Sequence, residues 1–378
     1  MSNIFDYIIW RGDLTFSQSP FNPVDNIILT HLSYLPFDNI VPSPDKKNTI
    51  TIAEAAERIA AVLKHKPEAF GDALICKEDP ALLAALGACE RYKHLKLAGF
   101  VNHIDLKQEK QFSALTIMTG DRSFLVAYRG TDNTLVGWKE DFNMSFSTAV
   151  PAQLEAVSYL EKMARKFRGN LRIGGHSKGG NLAVYAAAFC DKKFQRRISA
   201  IYSNDAPGFN REVIASQGYR AIKKKIHAFI PQSSIIGMLF EHDDDYTVVK
   251  STQTGIMQHD VYSWEVSHND VIRLDTVTQG SHFIDRTLKE WIGGMNREQR
   301  QRFTDALYDI LSSTEAKSLP DLTMRWFKNA GLMIQTYKDI DDSTRDIISQ
   351  TISALFRSAR NNIYTLLPEP QNRKEKKK

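Results

Sequence analysis

Residues 174–181 read Gly-Gly-His-Ser-Lys-Gly-Gly-Asn, with the apolar Leu171-Arg172-Ile173 before them and the helix-like run NLAVYAAAFC from Asn181 to Cys190 behind them. A short apolar segment, a glycine-rich turn and a run of small apolar residues in immediate succession restrict the fold more than any other stretch. Three chemistries use such a turn. A phosphate-binding P-loop needs G-x-x-x-x-G-K-[ST], so that lysine and a hydroxyl residue open the helix behind the glycines. Here the order is Ser177-Lys178-Gly179, and no Gly-Lys-Ser or Gly-Lys-Thr occurs in the segment. The dinucleotide pattern G-x-G-x-x-G also fails, because Gly174 and Gly175 are adjacent and no glycine follows at the required spacing.

What fits is G-x-S-x-G, filled by Gly175, His176, Ser177, Lys178 and Gly179. That pattern places a nucleophile on a strained strand-to-helix turn, its hydroxyl above the sheet. Glycines without a Cβ let strand and helix approach around it. The helix N-terminus then offers amides and a positive dipole end to a developing oxyanion. A turn whose serine merely caps the helix is the plainer reading.

The rest of the chain suits that turn. Val24, Ile27, Ile28, Leu32 and Leu35 recur near helical spacing, and 51–64, 79–92 and 151–167 read as further helices. Residues 112–120 and 123–131 read as a strand pair through Gly120-Asp121, and 198–205, 224–231 and 246–252 as later strands. Strands alternating with helices predict an α/β domain with a largely parallel sheet flanked by helices. After about residue 285 the pattern is helical only, so the chain divides into 1–285 and a C-terminal helical extension, 286–378. That extension reads as helices packed on the core, with a lid or a membrane-docking element as the alternative.

At 378 residues and 42% hydrophobic content, the chain supports one large core or two modest ones. The net charge of +5 is spread among mixed signs; the clearest basic run is Arg373-Lys374-Glu375-Lys376-Lys377-Lys378. It reads as a solvated tail, with peripheral contact to an anionic membrane surface as the sharper alternative. Cys76, Cys89 and Cys190 are too few and irregular for a disulfide framework or a metal knuckle, and fit a reducing compartment. Asp6 and Arg11 interrupt the apolar start, which lacks a basic leader region, and no stretch reaches about 18 apolar residues. The expected location is the cytoplasm.

An acyl-transfer serine needs a base oriented by an acid, and a second oxyanion donor. In α/β-hydrolases the chain order is serine, acid, histidine. His259 follows the strand at 246–252, where a loop can bring it over the strand ends; His268 and His282 are alternatives. His227 lies inside a strand and His242 in an acidic loop. Asp205 ends the strand after the nucleophile helix, just before Pro207-Gly208, and is the candidate acid. An Asx turn is its bland reading, and Asp243, Asp244 and Asp245 are alternatives; Asp260 would point away if His259 faced the serine. The second donor is expected after the strand ending Arg129-Gly130-Thr131, where Thr131 offers both amide and hydroxyl. The amide of Lys178 is the first donor. Its side chain is expected in solvent, then beside a carboxylate, then facing an anionic substrate. Arg129 is expected to pair with Asp141.

The segments FLVAYRGTD…W…DF and IGGHSKGGNLA resemble the class 3 (fungal-type) lipase branch of the α/β-hydrolases. The run from Phe5 through SNDAPGF and QHDVYSW is more similar to a bacterial family related to those lipases, over roughly residues 3–285. The resemblance implies Ser177 as nucleophile, Thr131 as oxyanion residue and His259 as base. It departs in two places. The acid of those lipases usually follows the second strand beyond the nucleophile, where this chain has Pro231-Gln232-Ser233-Ser234-Ile235, without a carboxylate. Lys178 also stands where they usually carry an uncharged residue. The expectation is a serine hydrolase of a carboxylic ester or thioester, with no metal or cofactor. Its partner is a small-molecule or lipid acyl ester and not nucleic acid. A catalytically silent scaffold binding a lipid or protein, and an acyltransferase using the same triad, are the alternatives.

Overall fold

The computed structural model describes residues 2–65, 76–105, 107, 110–132, 135–144, 149–241, 245–312 and 335–362. Strands from both sides of the glycine-rich turn join one sheet, in the order β1 (Ile50–Thr51), β2 (Lys96–Asp105), β3 (Lys110–Met118), β4 (Ser123–Tyr128), β5 (Asn170–His176), β6 (Ile198–Asn204), β7 (Ile226–Pro231) and β8 (Tyr246–Val249). The small pair β9 (Val266–Ser267) and β10 (Asp270–Val271) stands apart, and β11 (Arg273–Leu274) closes the far edge against β8. The five strands from β4 to β8 run parallel, while β1 to β4 and the β8–β11 pair are antiparallel. Parallel neighbours need crossover connections, and α-helices supply those between β4 and β7.

Burial follows the period of two that a strand imposes. In β4, Leu125 faces one core, while Phe124, Val126 and Tyr128 face the other. The first core is covered by α1 (Ile4–Arg11), α2 (Pro23–His31), α3 (Ile52–His65) and α4 (Asp79–Ala88). Helix α2 starts where the sequence demands: Pro23 occupies its first turn, and Asn22 and Asp25 form a reciprocal capping box. After α5 (Leu135–Asn143) come α6 (Pro151–Lys166) and α7 (Lys178–Phe189), which cover the second core. The alanine-rich face of α7 lets that helix lie close to the sheet. With the glycine-rich turn leading from the central β5 into α7, this is an α/β-hydrolase fold.

The C-terminal helices are α11 (Gln279–Gly293), α12 (Arg297–Ser312) and α13 (Asp342–Asn362), numbered after the short α8 (Lys192–Gln195), α9 (Arg211–Ala215) and α10 (Gln217–Ile222). The division expected at 285 falls inside α11. Trp291 of α11 donates to the Thr351 carbonyl of α13 and meets Phe303 of α12 edge-on. Lys139 of α5 pairs with Asp305 of α12 at 2.9 Å and lies over the Tyr308 ring. No helix among the described residues is long and apolar enough to cross a membrane.

Candidate active site

Ser177 sits between β5 and α7 at φ 58°, ψ −137°, a conformation that costs a non-glycine residue about 1–3 kcal/mol. Neighbouring backbone holds it there: its amide donates to the Asn204 carbonyl and its own carbonyl accepts from Gly180. Two glycines make the close approach possible. A Cβ on Gly179 would lie 2.1 Å from the Tyr128 carbonyl oxygen, so the first turn of α7 rests directly on the end of β4. A Cβ on Gly130 would fall 2.8 Å from the Ser177 Cβ, so the loop after β4 touches the serine.

Asp205 follows β6 at φ 46° and is almost fully buried. Its Oδ2 lies 2.7 Å from Nδ1 of His259, which ends the short 3-10 turn Gly255–His259 beyond β8. Its Oδ1 accepts from the Ser234 hydroxyl and from the Gly237 amide at 3.1 Å. Ser234 belongs to the 231–235 segment, where the lipase resemblance expects a carboxylate. The carboxylate instead enters from the neighbouring strand end, and a hydroxyl at the usual place holds it. Sequence reasoning misses Ser234 and Gly237, because their roles depend on a contact about thirty residues away.

The other histidines stand elsewhere. His227 is exposed and stacks on Tyr202, and His268 is exposed and bonded to Ser267. His282 lies within α11. Asp260 accepts from the Tyr262 amide. His242, Asp243 and Asp244 lie outside the described residues, and Asp245 is exposed.

His176, between Gly175 and the serine, has a defined tautomer. Burial, reinforced by the nearby His259 and His31, depresses its pKa well below the usual range, so the ring is neutral. Its Nε2 donates to the His259 carbonyl at 2.8 Å. Nδ1 is therefore an acceptor and takes the Tyr34 hydroxyl at 3.0 Å. Tyr34 Oη in turn accepts the Gly130 amide, and the His176 and His259 rings lie 4.3 Å apart between centroids. No sequence signal singles out Tyr34, which stands 142 residues from its partner.

The side chain of Lys178 corrects the expectation of solvent exposure. It is 1% exposed, with Nζ 3.0 Å from Glu140 Oε2, 3.2 Å from Gln111 Oε1 and 3.6 Å from Asp141 Oδ1. A lysine so buried needs carboxylates around it. Glu140 is itself fully buried and accepts from the Gln111 and Ala152 amides. Asp141 accepts the Thr131 hydroxyl at 2.5 Å, so that hydroxyl proton is committed and the amide remains Thr131's donor. Burial pushes the Asp141 carboxyl up to about 6, against the pull of Lys178. The expected Arg129–Asp141 pair gives way to other partners: Arg129 bonds Asn102 and Asp132, while the turn of α5 directs Asp141 to Thr131.

Among the described residues, His31, Cys76 and Asp79 form the one group of histidine, cysteine and carboxylate placed closely enough to share a metal ion. Asp79 Oδ1 is already bonded by His31 and Tyr262.

The family assignment follows from a match over residues 86–309, which include the serine, both oxyanion candidates, Asp205 and His259. The chain belongs to the Mbeg1-like family. No curated protein matches it. Solved structures similar to this Mbeg1-like chain include the Lip2 lipase from Yarrowia lipolytica, at 10% identity over 61% of this chain and 99% of that one, with a TM-score of 0.34. A mutant form of MDLA from Penicillium cyclopium is similar at 12% identity, over 66% and 83% of the two chains, with a TM-score of 0.37. The Rhizomucor miehei lipase in a propeptide complex is similar at 13% identity, over 56% and 79%, with a TM-score of 0.35.

Proposed function

We propose that this Mbeg1-like chain is a serine hydrolase of a carboxylic ester or thioester, with a small-molecule or lipid acyl group as substrate. The observation that carries the reading is the Asp205–His259 pair at 2.7 Å, beside a serine held on a strained turn. Asp205 fixes the proton on Nδ1 and leaves Nε2 as the basic nitrogen. His259 Nε2 takes the proton from Ser177 as Oγ attacks the acyl carbonyl. The amides of Thr131 and Lys178 stabilise the oxyanion, Lys178 at the first position of α7, where a helix leaves amides without internal partners. His259 then protonates the leaving alcohol or thiol, and water repeats the sequence to release the acid. The silent-scaffold alternative rests on the missing carboxylate at 231–235; the bonding of Asp205 by Ser234 from that segment favours the hydrolase.

The test is Ser177→Ala in the full chain, assayed on short p-nitrophenyl esters and with a fluorophosphonate probe. Loss of hydrolysis and of labelling is expected. Wild-type protein that is folded yet neither hydrolyses nor labels would return the scaffold reading.

A further inference from the structure

We infer that the Lys178 ammonium is a positioning group that holds the two oxyanion donors in register. The inference rests on the serine-hydrolase reading and assigns a task to a side chain which that reading does not use. One residue supplies both an amide at the mouth of α7 and a side chain running inward to α5. There it meets Glu140 and Asp141. Asp141 grips the hydroxyl of Thr131, the residue whose amide is the other donor. Glu140 is pinned by the amide of Gln111 on β3 and that of Ala152 in the first turn of α6. The two donors belong to segments nearly fifty residues apart in sequence, and the ammonium with its two carboxylates joins them on the α5 side, as Tyr34 joins Gly130 to His176 on the other.

The charges explain why a lysine is needed. The buried Glu140 carboxylate and the partly exposed one of Asp141 would oppose a developing oxyanion by repulsion. One ammonium between them offsets half of that charge and fixes the direction in which each carboxylate points. An uncharged residue here would leave Glu140 and Asp141 to take up protons or swing apart, carrying Thr131 with them.

The experiment compares the wild type with K178M/E140Q, both as full chains. The pair of changes removes one positive and one negative charge, so the cluster keeps its net charge; E140Q alone, which keeps the ammonium but also gives up one of Glu140's two amide contacts, is the control for that loss. The backbone amide of residue 178 is retained. Rates on p-nitrophenyl acetate are referred to the amount of Ser177 titrated to completion by fluorophosphonate, which removes misfolded protein from the ratio. The expected result is a fall in kcat of about 100-fold, the scale of a lost oxyanion donor, with KM within about threefold. If K178M/E140Q yields no folded protein, K178Q/E140Q takes its place, with a loss of at least about tenfold expected. A kcat per titrated serine within about threefold of wild type, in whichever pair folds, overturns the inference alone. Folded wild type that fails to label overturns the serine reading, and this inference with it.

Discussion

The two halves of the candidate site are built from different materials. On the acid–base side, one carboxylate is held by a hydroxyl and a backbone amide, and it holds one imidazole. On the oxyanion side, a buried lysine stands between two carboxylates, one of which holds a threonine. Uncharged donors around Asp205 leave its charge for His259. The ionic cluster satisfies itself and acts through geometry. Single substitutions on the first side should therefore act on chemistry, and on the second on both chemistry and folding.

The sharpest way to break this comparison lies on the acid–base side. Asp205→Asn keeps the shape but reverses the imidazole tautomer, and kcat on p-nitrophenyl esters should fall about 10⁴-fold with the melting curve nearly unchanged. Ser234→Ala removes one hydrogen bond to the same carboxylate and leaves the Gly237 amide. A bond to a charged group is worth about 1.5–3 kcal/mol, so the loss in kcat should lie between about 10-fold and 100-fold. Equal losses for the two variants would mean that the Ser234 hydrogen bond matters to this side as much as the Asp205 charge it supports.

The halves should also differ in the sign of their pH dependence. His176 is buried neutral with a depressed pKa, so the unfolded chain binds more protons below about 6.5 and stability falls as the pH drops through that range. Asp141 is raised to about 6, above the usual carboxylate value, so the folded chain binds the extra proton. Its contribution is full below about 4 and is lost as the pH rises through 6. Urea denaturation at pH 7.5 and 5.0 separates them. His176→Phe should lessen the acid loss of stability, and Asp141→Asn should deepen it. Changes of the same sign in both variants would overturn the assignment of His176 as neutral or of Asp141 as raised.

How far the sequence can be read follows the range of the interactions. The strand-to-helix turn at Ser177 is local: its glycines, its serine and the helix behind it adjoin in the chain, and they are legible. His259 is legible as a histidine beyond the last parallel strand. Strand β2 is not, because Gly99 at φ 67° and a register shift between Ala98 and Val101 interrupt the alternation that marks a strand. Lys178 reads as solvated because charge alone suggests exposure, and its partner Glu140 lies 38 residues away. The fold is announced by periodicity within segments, but the support around the site depends on side chains that meet only once the sheet has formed.

The smallest expected effect tests where the oxyanion side ends. Lys139, next to Glu140 on α5, reaches α12 through Asp305 and the Tyr308 ring, so the C-terminal helices touch the helix that carries the ionic cluster. Asp305 is 46% exposed, and a pair with one end in water is worth under about 1 kcal/mol. Asp305→Asn should therefore shift the melting temperature by only a few degrees and change kcat by about twofold or less, since Tyr308 still covers the ammonium. A drop of tenfold or more in kcat, with KM unchanged, would extend the oxyanion side through α5 into α12. The C-terminal helices would then belong to the site and not only to its support.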